Sequence, residues 1–444
     1  MRPGATATLA RGGHEFCAAG LSSHLTVPQR RSLALLSLFA VGFDYRLSAG
    51  SGPTLAVLEV VAFSGLFVWF LDLVWNQRLV MKETLAAARQ LRWVAVYFSW
   101  AFLTVWPGFT RSTENLFAFR NLFPSLVICF LVLAHVRERR DVILCLWAYL
   151  CGVIVNVVLA VAQKVLGYPY PNGLHAGALI KMDLEGQFIT NTPAGFFVHP
   201  NGLAVFLIPA VILMTCGWRI GLFSGWGGRM LQWVLLAATT AALYVTYAKG
   251  ALLWVGFGVV IGFSPAWARR RIGWLSAAVL SVIPLILFIG TDPFDWKLRT
   301  LNSMVTRFEI WSAAFRAMAV DPYVLAFGNG FQAIYLQTLR LSELPYLNAH
   351  NNVLNQVIFF GLPALAFYLL SLWALLRQAG QAIRQSEDNK LLVCLVAVVV
   401  ALFGEHFFEP VLDSVALQAE YYAFFALVLA LAKAETAKRF RVPQ

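Results

Sequence analysis

Residues 141–165 read DVILCLWAYLCGVIVNVVLAVAQKV, and between Asp141 and Lys164 nothing carries a charge. A bilayer core takes about 20 apolar residues as helix, so this stretch is long enough to cross a membrane. Stretches of the same kind recur near 31–48, 54–76, 92–109, 115–136, 200–217, 230–247, 249–266, 272–290, 351–376, 389–408 and 415–433. Together they predict about 12 transmembrane helices. The first is interrupted at its outer end by Asp44 and Arg46. Backbone groups in lipid find no water to pair with, so the spans must be helical. The expected fold class is all-α, a polytopic integral membrane protein.

Composition agrees. The 444 residues are 59% hydrophobic, 14% aromatic and only 13% charged, against about 25% charged in soluble domains. A soluble chain of this size must present a polar exterior. That excludes a cytosolic enzyme, a disordered scaffold and a disulfide-stapled secreted domain. The net charge of +12 is explained by where the cations fall. The clusters are Arg30-Arg31, Arg78/Lys82/Arg89/Arg92, Arg137/Arg139/Arg140, Arg219/Arg229, Arg269-Arg270-Arg271, Arg377/Arg384/Lys390 and Lys433/Lys438/Arg439/Arg441. All lie on the cytoplasmic side if both termini are inside, and no nucleic-acid partner is needed. Every cysteine except Cys17 sits in an apolar run without ligand spacing, which reads as a small buried hydrophobe.

Residues 1–30, rich in Gly, Ala, Ser and Thr, read as a disordered cytoplasmic tail. Residues 31–444 form a single transmembrane domain, with the first span an uncleaved signal anchor. No internal repeat is visible. Two long segments face outward, 166–199 and 291–350, the second between spans nine and ten. A structureless loop beyond about 15 residues is unusual unless functional. Within Asn302–Asp321, Met304, Phe308, Trp311, Phe315 and Met318 recur at helical spacing. This predicts an amphipathic helix on the membrane surface, ended by Asp321-Pro322.

Ionisable groups inside spans are costly and point to function. Glu59, Arg120, Lys249, Glu405, His406 and Glu420 gather toward the outer ends, with Asp72 the exception near an inner end. Taken alone, Glu59 and Arg120 read as a structural pair; the cluster as a whole reads as a site. Arg307 shares the apolar face of its helix, within about 60° of Met304 and Trp311. It therefore needs an anion or a carboxylate partner. His350 stands in Asn348-Ala349-His350-Asn351-Asn352, with Asn348 or Asn351 as the expected N-cap. A helix N-terminus disfavours imidazolium, so His350 is expected to be neutral and able to take a proton. Capping alone would also account for it. His199-Pro200 reads as a helix start. Gly328 and Gly330 lack the strand and GK[ST] of a phosphate loop. Asp292 and Asp295 lack further ligands, so no metal is expected.

Several elements in order resemble the bacterial O-antigen ligase / O-antigen polymerase family. They are Phe197-Val198-His199-Pro200-Asn201-Gly202-Leu203-Ala204, Ala248-Lys249-Gly250-Ala251, Thr306-Arg307-Phe308-Glu309-Ile310-Trp311, Phe327-Gly328-Asn329-Gly330-Phe331, and Ala349-His350-Asn351-Asn352 followed by Gly361. The motif-bearing part covers about 195–375. The resemblance implies a metal-independent, cofactor-free membrane glycosyltransferase. Its donor would be an undecaprenyl-diphosphate-linked glycan, and its acceptor lipid A–core or a second lipid-linked glycan. The site would face the periplasm from the bacterial inner membrane. His350 matches the family's outer-face histidine and Arg307 its outer-loop arginine. Lys249 stands where the family often has arginine, giving a point charge in place of a fork. His350 is thus the expected general base of an inverting transfer, with Arg307 and Lys249 on the diphosphate. Arg120, His199 and Glu405 are further candidate contacts. A polyprenyl-phosphate-sugar transferase of another fold and a polysaccharide or lipid transporter are the competing readings. Ligase and polymerase are not distinguished.

Overall fold

The computed structural model describes residues 27–43, 46–47, 55–75, 87, 89–106, 113–167, 181–182, 188–189, 192–197, 199–264, 311–312, 314–316, 318–319, 322–328, 351–386, 388–409 and 414–439. The expected ninth span at 272–290 lies outside them, as do Arg307, His350 and most of 291–350.

Helices form where the apolar runs predicted them. In chain order they are α1 (Val27–Ala40), α2 (Val57–Trp75), α3 (Arg92–Thr104), α4 (Thr113–His135), α5 (Arg139–Leu166), α6 (Pro200–Ile220), α7 (Gly225–Tyr244), α8 (Lys249–Gly262), α9 (Pro322–Phe327), α10 (Asn352–Gln385), α11 (Lys390–Glu405) and α12 (Val415–Arg439). Among the described residues, six helices are long and apolar enough to cross a membrane: α2, α4, α5, α6, α10 and α12.

Three boundaries differ from expectation. The first span stops at Ala40, and Arg46–Leu47 (β1) pairs antiparallel with Leu55–Ala56 (β2). The charges at positions 44 and 46 are costly in a span, and the helix ends before them. A second two-residue ladder, Lys181–Met182 (β3) with Phe188–Ile189 (β4), lies in the first outer segment; the other described elements are helices. The run 389–408 is helical only to Glu405, after which 406–408 form a turn. Finally, Pro322 begins a helix, as suits a proline at the first helical position.

The bundle is built around α11 and α12. Every side chain from Leu391 to Glu405 is buried. α11 lies between α6, α8 and α12, while α12 packs on α4, α10 and α11. α2 sits at the periphery. Its Val60, Phe63, Phe67, Phe70 and Val74 form an exposed stripe at helical spacing, the pattern of a face turned to lipid.

In the amphipathic segment, Ala314 and Met318 are buried, whereas Phe315 is 59% exposed. Phe315 therefore lies outside the face that packs on the protein. The packed face is rotated toward 314.

α10 is broken. Gly361 has φ 82° and ψ 171°, two residues before Pro363. The Phe360 carbonyl accepts a hydrogen bond from Trp100 Nε1 at 2.8 Å, and Trp100 stacks on Phe327 at 5.7 Å. The end of α9 fits into this break. A Cβ at Gly328 (φ 75°) would stand 2.3 Å from the Phe359 carbonyl group, and one at Gly361 would stand 2.2 Å from the Ala326 oxygen. The obstacles are backbone and cannot swing aside. Gly328→Ala and Gly361→Ala should therefore each destabilise the protein by about 2 kcal/mol or more, since positive φ alone costs roughly 1–2. Thermal melts in detergent check this; unchanged melting temperatures would contradict the docked arrangement.

Arg120 of α4 meets Glu59 of α2 in a bidentate pair, Nε to Oε1 at 2.8 Å and Nη2 to Oε2 at 3.0 Å. Glu59 sits in the first turn of its helix, where a carboxylate suits the positive end. Its side chain is 3% exposed and that of Arg120 38%. Removing the cation takes the bidentate partner from a buried carboxylate. Arg120→Ala should cost about 2–3 kcal/mol, somewhat less than for a fully buried pair. Adding Glu59→Gln should recover most of it. A double-mutant cycle on melting temperature measures the coupling, and additive losses would show that the pair does not stabilise the fold.

Candidate functional site

Lys249, His199 and Glu405 fall at the end of the bundle where α6, α8 and α10 begin. The segment leading into α6 is laid against α5. Asn156 Oδ1 accepts from Phe196 N at 3.0 Å, and Gln163 Oε1 accepts from Ala194 N and Gly195 N at 3.0 and 2.9 Å. His199 then caps α6, its Nδ1 accepting from Asn201 N at 3.1 Å, with Pro200 at the first helical position.

α8 begins directly at Lys249, after a tight turn. Tyr247 has φ 57°, the positive-φ residue among the described non-glycines. Thr246 Oγ1 accepts from Ala248 N at 3.3 Å, while Ala248 itself offers no side-chain cap. Lys249 is exposed. α10 starts after Asn351, whose Oδ1 accepts from Leu354 N at 3.0 Å. Of the two asparagines expected as caps, Asn351 is the one that serves.

One turn joins these starts. Beyond α11 the chain tightens, with Phe408 N and Glu409 N both donating to the Glu405 carbonyl at 2.8 and 3.0 Å. Each residue that matters in this turn faces a different helix. Glu409 Oε1 accepts from Asn201 Nδ2 of α6 at 2.6 Å. The Glu405 carboxylate lies against the first turn of α8, where a Cβ at Gly250 would stand 2.9 Å from Oε2 and 3.0 Å from Oε1. The His406 carbonyl accepts from Asn352 N of α10 at 2.6 Å. Helices α6, α8 and α10 thus bring their positive ends around 405–409. Helix N-termini present unpaired N–H groups and a partial positive charge, and converging ends favour an anion.

Behind the turn the bundle stays polar. Asn352, Asn355 and Gln356 in the first turns of α10 are buried, and Tyr97 of α3 donates to Gln356 Oε1. Among the described residues, no group of three or more His, Cys, Asp or Glu comes together as a metal site.

Of the residues chosen from sequence, Lys249, His199 and Glu405 stand around this turn. Arg120 is engaged by Glu59 between α2 and α4. Arg307 and His350 lie outside the described residues; position 350 directly precedes the cap Asn351. The sequence reading gave no role to Asn201, Asn352 or Glu409. The available signal was Glu405-His406-Phe407-Phe408-Glu409, two acids and a histidine within five residues after an apolar run.

Residues 233–369 match the family model described as O-antigen ligase. Comparison with curated proteins gives no match. The matched segment runs from α7 into α10, and includes Lys249, position 307, position 350 and the break at Gly361. Over these residues the chain, with six described helices long and apolar enough to cross a membrane, is similar to the O-antigen ligase family, which the motifs around Lys249, Arg307 and His350 also resemble.

Proposed function

We propose that the protein is an inverting, metal-independent membrane glycosyltransferase of O-antigen ligase or polymerase type. It takes a glycan from undecaprenyl diphosphate and joins it to a hydroxyl of lipid A–core or of a second lipid-linked glycan. The reaction is placed at the periplasmic face of the bacterial inner membrane. The observation that carries the reading is the meeting of the α6, α8 and α10 starts around one turn, with Lys249 as the first residue of α8. The family match, which covers the starts of α8 and α10, supports it.

A diphosphate gains negative charge as it leaves, and fixed positive groups at that point supply the largest share of many such rate enhancements. Lys249 and Arg307 bind it. His350, one residue ahead of the α10 cap, is neutral there and takes the acceptor's proton. The hydroxyl oxygen attacks the anomeric carbon opposite the diphosphate. The glycosidic bond forms as the bond to the diphosphate oxygen breaks. Glu405 sets the start of α8 behind Lys249, and His199 and Arg120 are secondary candidates for sugar contacts.

Purified protein in liposomes, given a lipid-linked glycan and both acceptors, tests this directly. Transfer to one acceptor should proceed in the presence of EDTA. His350→Ala should lower it by about 10²–10⁴ with donor binding retained, whereas Arg307→Ala and Lys249→Ala should chiefly weaken donor binding. Near-normal transfer by His350→Ala removes the histidine from the mechanism. Loss of transfer on chelation would favour a metal-dependent polyprenyl-phosphate-sugar transferase. Movement of lipid-linked glycan without bond formation would favour a transporter.

A further inference from the structure

We propose that His406, held by Tyr368, is a positioning residue for this site: it clamps α10 on both sides of its break. The inference rests on the functional reading above. A helix interrupted by Gly361 and Pro363 loses the hydrogen bonds that keep its two parts in line, and such a break is a natural hinge. The first part carries the α10 start that faces the site; the second runs on through Tyr368 with one face buried. His406 touches both. Its carbonyl takes the first backbone N–H of α10, from Asn352, at 2.6 Å. Its Nδ1 lies 2.6 Å from the hydroxyl of Tyr368, which is beyond the break.

The ring itself is fixed. His406 is buried, its centroid 4.8 Å from that of Tyr421 and 6.3 Å from that of Tyr368. The Asn352 side-chain amide is a second group near Nδ1, at 3.5 Å. An amide nitrogen donates and a phenol can do so, and on that ground Nδ1 is assigned as the acceptor. The backbone is fixed as well, because His406 N donates to the carbonyls of Leu402 and Phe403 at 3.1 and 3.2 Å. The same turn carries Glu405 against α8 and Glu409 against α6. His406 therefore ties the pose of the α10 start to the ends that bear Lys249 and His199. Tyr97 and Trp100 of α3 also hold the first part of α10, and the test separates their contribution from that of His406.

The full protein in lipid nanodiscs is compared with His406→Leu, His406→Asn and Tyr368→Phe. In His406→Asn the side-chain oxygen replaces Nδ1 as acceptor. Amide hydrogen exchange over 351–356 should rise at least about tenfold in His406→Leu and Tyr368→Phe, with α4 unchanged, and return close to the wild-type rate in His406→Asn. In the transfer assay kcat should fall by about tenfold in the first two, with the donor KM within about twofold, and recover in the third. Unchanged exchange over 351–356 overturns the clamp, and so does His406→Asn exchanging as fast as His406→Leu. Raised exchange with undiminished kcat overturns it too, since nothing at the site then depends on it. If the wild-type protein transfers no glycan, the functional reading fails, and the exchange data alone decide whether the clamp stands.

Discussion

The hydrogen bond from Asn352 N to the His406 carbonyl is the contact on which the end of the bundle where α6, α8 and α10 begin depends. A helix C-terminus leaves carbonyls without donors, and a helix N-terminus leaves N–H groups without acceptors. Where the end of α11 meets the start of α10, each supplies what the other lacks. Water can do the same for a surface helix. Here both residues are buried, so the protein must do it internally, and an unmade bond would cost about 1–3 kcal/mol per group. The turn at 405–409 cannot drift from α10 without opening that pair. Because it also meets α6 and α8, the spacing of three helix starts follows from one short segment.

The membrane environment explains why the contacts take this form. Lipid tails are as apolar as a leucine core, so burial alone does not draw helices together, and polar contacts and close packing decide the arrangement. The described polar pairs join elements far apart in the chain. They include Arg120 with Glu59, Tyr97 with Gln356, Gln163 with the 194–195 backbone and Trp100 with the Phe360 carbonyl. Two of these bind side chains to loop or broken-helix backbone, which is tolerated at membrane depth only where protein covers it. The irregular stretches are thus held by regular helices.

Hydropathy made the helices legible because it acts residue by residue, whatever the partner. The Glu59–Arg120 pair was legible for a related reason: two opposite charges deep in apolar runs must find each other. The break in α10 was not. Gly361 and Pro363 announce a weak point, but the close approach of Ala326 and Gly328 depends on a segment more than thirty positions away. The end of α11 was missed for a local reason. Phe407 and Phe408 continue the apolar run after Glu405 and His406, and nothing in periodicity shows that the chain turns there. The Asn352–His406 contact leaves no trace in sequence at all, since its donor and acceptor are main-chain atoms that every residue but proline offers.

Under the proposed function, lysine in place of arginine at 249 becomes intelligible. A guanidinium grips a phosphate through its own fork, whereas an ammonium offers charge with little direction. Lys249, however, is the first residue of α8, where the backbone N–H groups are directional donors already fixed in space. Gly250 lets the Glu405 carboxylate come within 3.0 Å of where a side chain would begin, and so sets that first turn against α11. A larger residue would displace the carboxylate from this place. Orientation is then a property of the helix end, and the lysine needs to contribute only its charge.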